Sequence, residues 1–280
     1  RLRGLGWLPA RARAHLVAAL GEFAGTCLFL SFAFAGTHVA NAAAAGQIEA
    51  AGGSEDADAA RYPNTPVLLY ISLAFGFSLA VNAWVFMRIS GGLFNPAVTL
   101  GMCLIGAVPW LRGLIDTLAQ IAGAIAASAL VLGLFPGTLA VRTTLHPSTS
   151  HVRGLLIEAL LTAELVFAIF MLAAEKHKGT FLAPIGVGLC LFVCELAGVY
   201  YTGGSLNPAR SFGPDVVLGT FDSYHWIYWA GPAIGAVAAV LFYRLVKVLE
   251  DETESQATDV DEKAAEPLRE DKDPDTAGAN

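Results

Sequence analysis

The chain has 280 residues, of which 55% are hydrophobic and only 15% charged, and its mean hydropathy is +0.57. Ordinary soluble domains carry about 25% charged residues, so the composition excludes a water-soluble globular protein. The formal net charge of −7 sits at one end: residues 250–280 hold twelve Asp or Glu against three Lys or Arg, a net of −9, leaving about +2 on the rest.

A membrane span needs roughly 20 mostly apolar residues. In chain order, residues 1–14 form a basic arm with Arg1, Arg3, Arg11 and Arg13. The first predicted span, His15 to Ala40, contains Glu22 and is too long for the apolar core of a secretory leader. A 26-residue connection, Asn41 to Pro66, is unusually long, either a cover over one end of the bundle or a disordered link. A second span is predicted from Val67 to Met87, followed by the polar insertion SGGLFNPAVTLG (90–101) and a third span from Leu111 to Leu134. The second half repeats the order. Spans are predicted from Val152 to Ala174, with Glu158, and from Phe181 to Tyr200; then come TGGSLNPARSFGP (202–214) and a sixth span from Trp226 to Leu249. The acidic remainder, 250–280, has too few apolar residues to form a core and reads as a disordered tail.

The two Asn-Pro-Ala triplets, Asn95-Pro96-Ala97 and Asn207-Pro208-Ala209, lie 112 positions apart, and the same offset carries GAIAA at 123–127 onto GAVAA at 235–239. Residues 15–134 and 152–249 are therefore read as repeats. Three spans per repeat is an odd number, so the second repeat must be inverted relative to the first, about a pseudo-two-fold axis in the membrane plane. Irregular backbone at membrane depth is tolerated only where protein buries it or where it lines a wet cavity. Each insertion is accordingly read as a Gly-Gly bend followed by a half-helix. Asn is a favoured N-cap, Pro at the first helical position loses no hydrogen bond, and small Ala97 and Ala209 let the two half-helix ends meet at mid-membrane. The fold class is thus an all-α membrane protein with six transmembrane helices and two half-helices in an inverted 3+3 repeat.

Basic residues cluster in the N-terminal arm, near Arg88 and Arg112, at Lys176 to Lys178 and at Arg244/Lys247, while the first connection carries Glu49, Glu55, Asp56 and Asp58. The positive-inside rule then puts both termini in the cytoplasm, with the plasma membrane as the default location. The four cysteines all fall in apolar stretches and read as buried thiols rather than metal ligands or disulfides.

SGGLFNPAVTLG and TGGSLNPARSFGP together resemble the aquaporin family, and GEFAGT in the first helix and HWIYWAGP in the sixth extend the resemblance over His15 to Leu249. RISGGLFNPAVTLG and the long tail look most like fungal members. The resemblance implies a right-handed helical bundle, a homotetramer with one pore per subunit, a lipid bilayer setting, water or small neutral solutes as cargo, and no cofactor, metal or nucleic acid. It implies that Arg210 stands at the outer constriction with Phe75 and Gly204, and that Glu22 and Glu158 brace the half-helix loops. At the fourth constriction position water-selective relatives usually have a histidine twelve residues before the second motif Asn, and this chain has Glu195. Either Glu195 faces the pore near Arg210, or a one-residue change of register puts Cys194 or Leu196 there. A pore-facing carboxylate could pair with Arg210 and reshape the opening, which makes hydrogen peroxide a further cargo to test. Ser211 and the pair Tyr228-Trp229 differ from the usual glycerol markers, and Asp215 fits neither subgroup. Asp116, Glu164 and the histidines 38, 146, 151 and 177 suggest no sharp role.

Physical chemistry supports the same reading. Each half-helix N-terminus is equivalent to roughly +0.5 charge, and an arginine inside a membrane costs several kcal/mol or more unless it faces a cavity or a partner. Inverted repeats with broken helices also build secondary transporters, which remain the rival class. No nucleophile and base pair, metal set or phosphate loop points to an enzyme.

Overall fold

The computed structural model describes residues 8–50, 63–175 and 178–265, with side chains left undescribed for 47–50 and 254–265. Eight α-helices follow in order: α1 (Ala10–Ala50), α2 (Thr65–Phe86), α3 (Pro96–Leu104), α4 (Trp110–Leu134), α5 (His151–Ile169), α6 (Ala183–Thr202), α7 (Pro208–Leu218) and α8 (Ile227–Ala265). A π-helical turn, Phe170–Ala174, extends α5, and no strand occurs among the described residues. Six of these helices are long and apolar enough to cross a membrane, and α3 and α7 are the short ones, nine and eleven residues. The protein is an all-helical integral membrane protein.

Two helices run past their expected ends. The predicted first span stopped at Ala40, yet α1 continues to Ala50 because NAAAAGQIEA supplies alanine, the best helix former. The acidic tail was expected to leave regular structure at Glu250, yet α8 stays helical to Ala265. Its start is held by a Lys247–Glu250 ion pair of 3.0 Å and by Thr253 Oγ1 donating to the Leu249 carbonyl at 2.7 Å. Residues 51–62 of the 41–66 connection, together with Arg1, Arg3, Lys176, His177 and residues 266–280, lie outside the described residues.

The bundle is assembled from close crossings rather than from amphipathic faces. α1 packs on α2 and α4, α5 on α6, α2 on α6, and α7 on α4. Lipid tails are as apolar as leucine, so helices associate in membranes through backbone approach at small residues. At the α2–α6 crossing, a Cβ built on Gly188 would lie 2.5 Å from both the Gly76 carbonyl oxygen and the Ala80 Cβ, and one on Gly76 would lie 2.8 Å from the Gly188 carbonyl oxygen. The repeat is visible in the same terms. Gly123 of α4 crosses α1 beside Thr26, and Gly235 of α8 crosses α5 beside Thr162, at 3.0 and 2.9 Å from an added Cβ to the Thr Cβ.

Gly188→Val should therefore force α2 and α6 apart at a cost of about 1–3 kcal/mol, the usual penalty for overpacking. A thermal melt of the detergent-solubilised protein would show a lowered midpoint, and an unchanged one would refute the crossing as a stability determinant.

Candidate functional site

The two insertions form one junction. Gly91 and Gly92 have φ of 111° and 67°, and Gly203 and Gly204 have φ of 82° and 61°, values that glycine adopts without steric cost. Each bend is followed by a non-glycine residue in the left-handed region, Phe94 and Leu206, both at φ 52°. That conformation costs about 1–3 kcal/mol per residue. It persists because a buried carboxyl group collects the turned amides. Glu22 accepts from Leu93 N (3.2 Å) and Phe94 N (2.8 Å), and Glu158 accepts from Ser205 N (3.0 Å) and Leu206 N (2.8 Å). An unmet buried donor costs about 1–3 kcal/mol, so two satisfied donors per loop outweigh one strained residue.

The half-helices are capped as their sequences require. Asn95 Oδ1 accepts from Ala97 N at 2.8 Å and Asn207 Oδ1 from Ala209 N at 2.9 Å, with Pro96 and Pro208 in the first helical position. The side-chain amides then cross over: Asn95 Nδ2 donates to the Leu206 carbonyl and Asn207 Nδ2 to the Phe94 carbonyl, both at 2.8 Å. Each amide has two N–H groups, so one locks the junction and the other remains for the cavity.

That cavity, about 30 Å³, is lined by both motif asparagines, Phe75, Glu195, Arg210, Val98 and Leu206 among others. A water molecule takes about 30 Å³ of liquid, so the space is comparable in volume to a single water molecule. It shares Gly92, Leu93, Val98, Ile169 and Val187 with a 420 Å³ vestibule on one side, and shares Arg210 with a 320 Å³ vestibule on the other. Wide, narrow and wide spaces thus share their walls through the centre of the bundle.

Arg210 is 3% exposed and bonded to backbone from all three nitrogens: Nε donates to Gly204 O at 3.1 Å, Nη1 to Val141 O at 2.6 Å and Nη2 to Gly203 O at 3.3 Å. Its guanidinium carbon lies 4.8 Å from the Phe75 ring centroid and 5.4 Å from that of Phe34. Glu195 lines the same cavity. Cys194 points to the Leu161 carbonyl on α5 and Leu196 is exposed on the outside of the bundle. The pairing of Glu195 with Arg210 suggested by their proximity does not form: neither carboxyl oxygen has a protein partner, although the residue is 1% exposed. Gly204 gives the carboxyl group its room, since a Cβ there would overlap Glu195.

Other charges sort into supports. Arg112 Nε donates a bifurcated hydrogen bond to both carboxyl oxygens of Asp116, each at 2.8 Å, and Arg112 Nη2 donates to Ser90 O at 3.0 Å, tying α4 to the first bend. Gln120 donates to both Glu22 and Thr99, a brace that sequence reasoning missed because a lone Gln in a span carries no motif. Glu164 is exposed on α5. His38, expected near a loop, lies within α1 and contacts the Pro136 carbonyl at 2.7 Å. Sequence reasoning also missed the outer connection: Val141 O on Arg210, Thr143 Oγ1 donating to Ser211 Oγ at 2.8 Å, and Arg142 bound to Asp215 and Asp222. The hydrogen bond to Asp215, working against partial burial, raises the Arg142 pKa above its ordinary value.

Residues 10–243 match the family model described as major intrinsic protein. The chain belongs to the major intrinsic protein family. This member of the family is similar, at 61% identity over 253 residues, to "Aquaporin-7" of Botryotinia fuckeliana (strain B05.10), covering 90% of this chain and 54% of that protein. It is 50% identical over 246 residues to "Probable aquaporin-3" of Gibberella zeae, covering 88% of this chain and 82% of that protein. The chain thus spans about half the length of the first of these relatives. Among solved structures, the "X-ray structure of the aquaglyceroporin from Plasmodium falciparum" superimposes with a TM-score of 0.65 at 22% identity, covering 82% of this chain and 95% of that one, and so supports the fold.

Glu158→Ala should leave the Ser205 and Leu206 amides unmet at about 1–3 kcal/mol each, whereas Glu158→Gln keeps one acceptor oxygen. Thermal melts should rank wild type above E158Q and E158Q above E158A; equal midpoints would refute the brace.

Proposed function

We propose that the protein is a passive transmembrane channel that conducts water, excludes protons and ions, and also passes hydrogen peroxide. The observation that carries this reading is the 30 Å³ throat closed on two sides by capped half-helix N-termini. Two such termini concentrate positive potential at the throat, and the second N–H of each motif asparagine can orient a passing water by its oxygen. That orientation directs the water's own protons outward along the file, so a proton has no continuous chain to follow. The fixed charge of Arg210 adds a barrier to cations on one side. Membership of the family and similarity to proteins named aquaporins support water as the principal cargo.

Peroxide is supported by the chemistry around Glu195. Arg210 has five N–H donors and spends three on backbone carbonyls, and Glu195 offers two unpartnered oxygens. A small solute that donates and accepts at both ends, as peroxide does, fits a throat with donors on one wall and acceptors on another. Six spans put both termini on one side, and the basic loops favour the cytoplasm; the plasma membrane and a homotetramer complete the proposal. The wide belt of exposed apolar side chains, with Phe32, Phe77, Val81 and Leu160 each at least 60% exposed, suits contact with lipid or with neighbouring copies.

Stopped-flow light scattering on proteoliposomes tests the reading. Osmotic shrinkage should be much faster than in empty liposomes, linear in the gradient and low in activation energy; saturable flux would favour a transporter instead. Peroxide flux should fall several-fold in Glu195→His while water flux persists, and equal peroxide flux in the two proteins would remove the role of Glu195.

A further inference from the structure

The segment that supplies the third acceptor for Arg210 belongs to no helix, so something other than secondary structure must fix it. Residues 141–143 are pinned at three consecutive positions, all to α7. Val141 O accepts from Arg210 Nη1 at 2.6 Å, Arg142 Nε donates to Asp215 Oδ1 at 2.5 Å, and Thr143 Oγ1 donates to Ser211 Oγ at 2.8 Å. Arg142 also donates from Nη2 to Asp222 Oδ2 at 2.8 Å, which extends the clamp to the turn before α8.

Asp215 is the centre of this arrangement. It is 1% exposed, and its second oxygen lies 2.8 Å from His225 Nδ1. Trp229 Nε1, which can only donate, reaches His225 Nε2 at 3.2 Å. Nε2 must therefore be an acceptor, which leaves the ring proton on Nδ1, 2.8 Å from Asp215 Oδ2 but not aligned with it as a hydrogen bond. One carboxyl oxygen of Asp215 thus binds Arg142 while the other faces the His225 ring, and Arg142 is held in one place by a fork that a lysine cannot reproduce.

We propose that Arg142, Asp215 and His225 form a clamp that positions Arg210 through the Val141 carbonyl and thereby keeps Arg210 apart from Glu195. The inference rests on the reading of Arg210 and Glu195 as the walls of the solute path. Its physical core is the tether on the guanidinium. Two of the five N–H groups of Arg210 are uncommitted and still make no bond to Glu195, so the position set by Val141 O keeps the groups apart; if Val141 O moves away, the guanidinium is free to swing toward the unpartnered Glu195 carboxyl group lining the same cavity. A bridge between the two would lie across that small cavity. It would hinder peroxide more than water, because peroxide is the larger solute.

The test is a double-mutant comparison in proteoliposomes, reading the ratio of peroxide to water permeability. Arg142→Ala and Asp215→Asn should each lower that ratio about tenfold, a barrier difference of about 1.4 kcal/mol, and Arg142→Lys should not restore it. In a Glu195→Ala background, which lacks the competing acceptor, adding either clamp variant should change the ratio by no more than about twofold, as for uncoupled sites. A purely structural clamp would lower the ratio equally in both backgrounds, or not at all, and either result overturns the proposal. Asp215→Asn, which keeps the side-chain shape, carries the test if Arg142→Ala fails to assemble. Wild-type shrinkage no faster than that of empty liposomes would overturn the channel reading itself, whereas a conducting wild type with uncoupled clamp variants would overturn the clamp alone.

Discussion

Everything in this bundle depends on satisfying irregular backbone at the middle of a membrane. Each unmet amide in a hydrocarbon setting costs several kcal/mol, and the chain breaks helical structure there twice. Glu22 and Glu158, both fully buried, take up the four amides of the two turns, and Asn95 and Asn207 take up two more per half while bonding across to the opposite carbonyls. The exchange between Asn95 and Leu206, and between Asn207 and Phe94, means neither half-helix is complete without the other. The six long helices then serve to hold that junction, through crossings at Gly76, Gly123, Gly188, Gly213 and Gly235 that leave no space for a side chain.

Most of this was legible in the sequence because the constraint is local and repeated. Gly-Gly, Asn-Pro and a small residue mark a bend, a cap and a close approach by their own chemistry, and their recurrence at a fixed offset implies a repeat. The bracing role of Glu22 and Glu158 was an expectation from the resemblance, and each carboxyl group accepts from two amides of its turn. What was not legible falls into two kinds. Helix ends that run past the apolar stretches, such as α1 to Ala50 and α8 to Ala265, are set by alanine content and local pairs rather than by the apolar window used to find spans. Contacts across long loops leave no periodic trace: Asp215 fitted neither subgroup and no pattern linked it to Arg142, although together they form a partly buried pair 73 residues apart in sequence.

Glu195 shows the limit in another way. Its place in α6 could be counted to within one residue, but whether it paired with Arg210 depended on a carbonyl from a different part of the chain. Arginine within a membrane needs partners, and the obvious partner was the nearest carboxyl group. Three backbone carbonyls supply that need instead, and two aromatic faces cover the guanidinium. Carbonyl oxygens solvate a cation without cancelling its charge, so the positive field at the throat survives. A carboxylate partner would have removed it.

The near-symmetry of the junction makes its one departure informative. Val98 and Arg210 stand at equivalent positions, three residues after their motif asparagines, and the backbone amide of each is capped in the same way, at 3.5 and 3.3 Å. Both side chains line the cavity. One is apolar and the other carries a fixed charge, so the backbone potential from the two helix ends is shared by both halves while the side-chain potential belongs to one. A gate for protons can be symmetric, because it needs only an oriented water at the centre. In the proposed channel, discrimination among neutral solutes would not come from that centre alone, since every small hydrogen-bonding solute can use the same asparagines. It would come from the half that has diverged, which carries Phe75, Glu195, Gly204 and Arg210 and against which the 141–143 segment is bound.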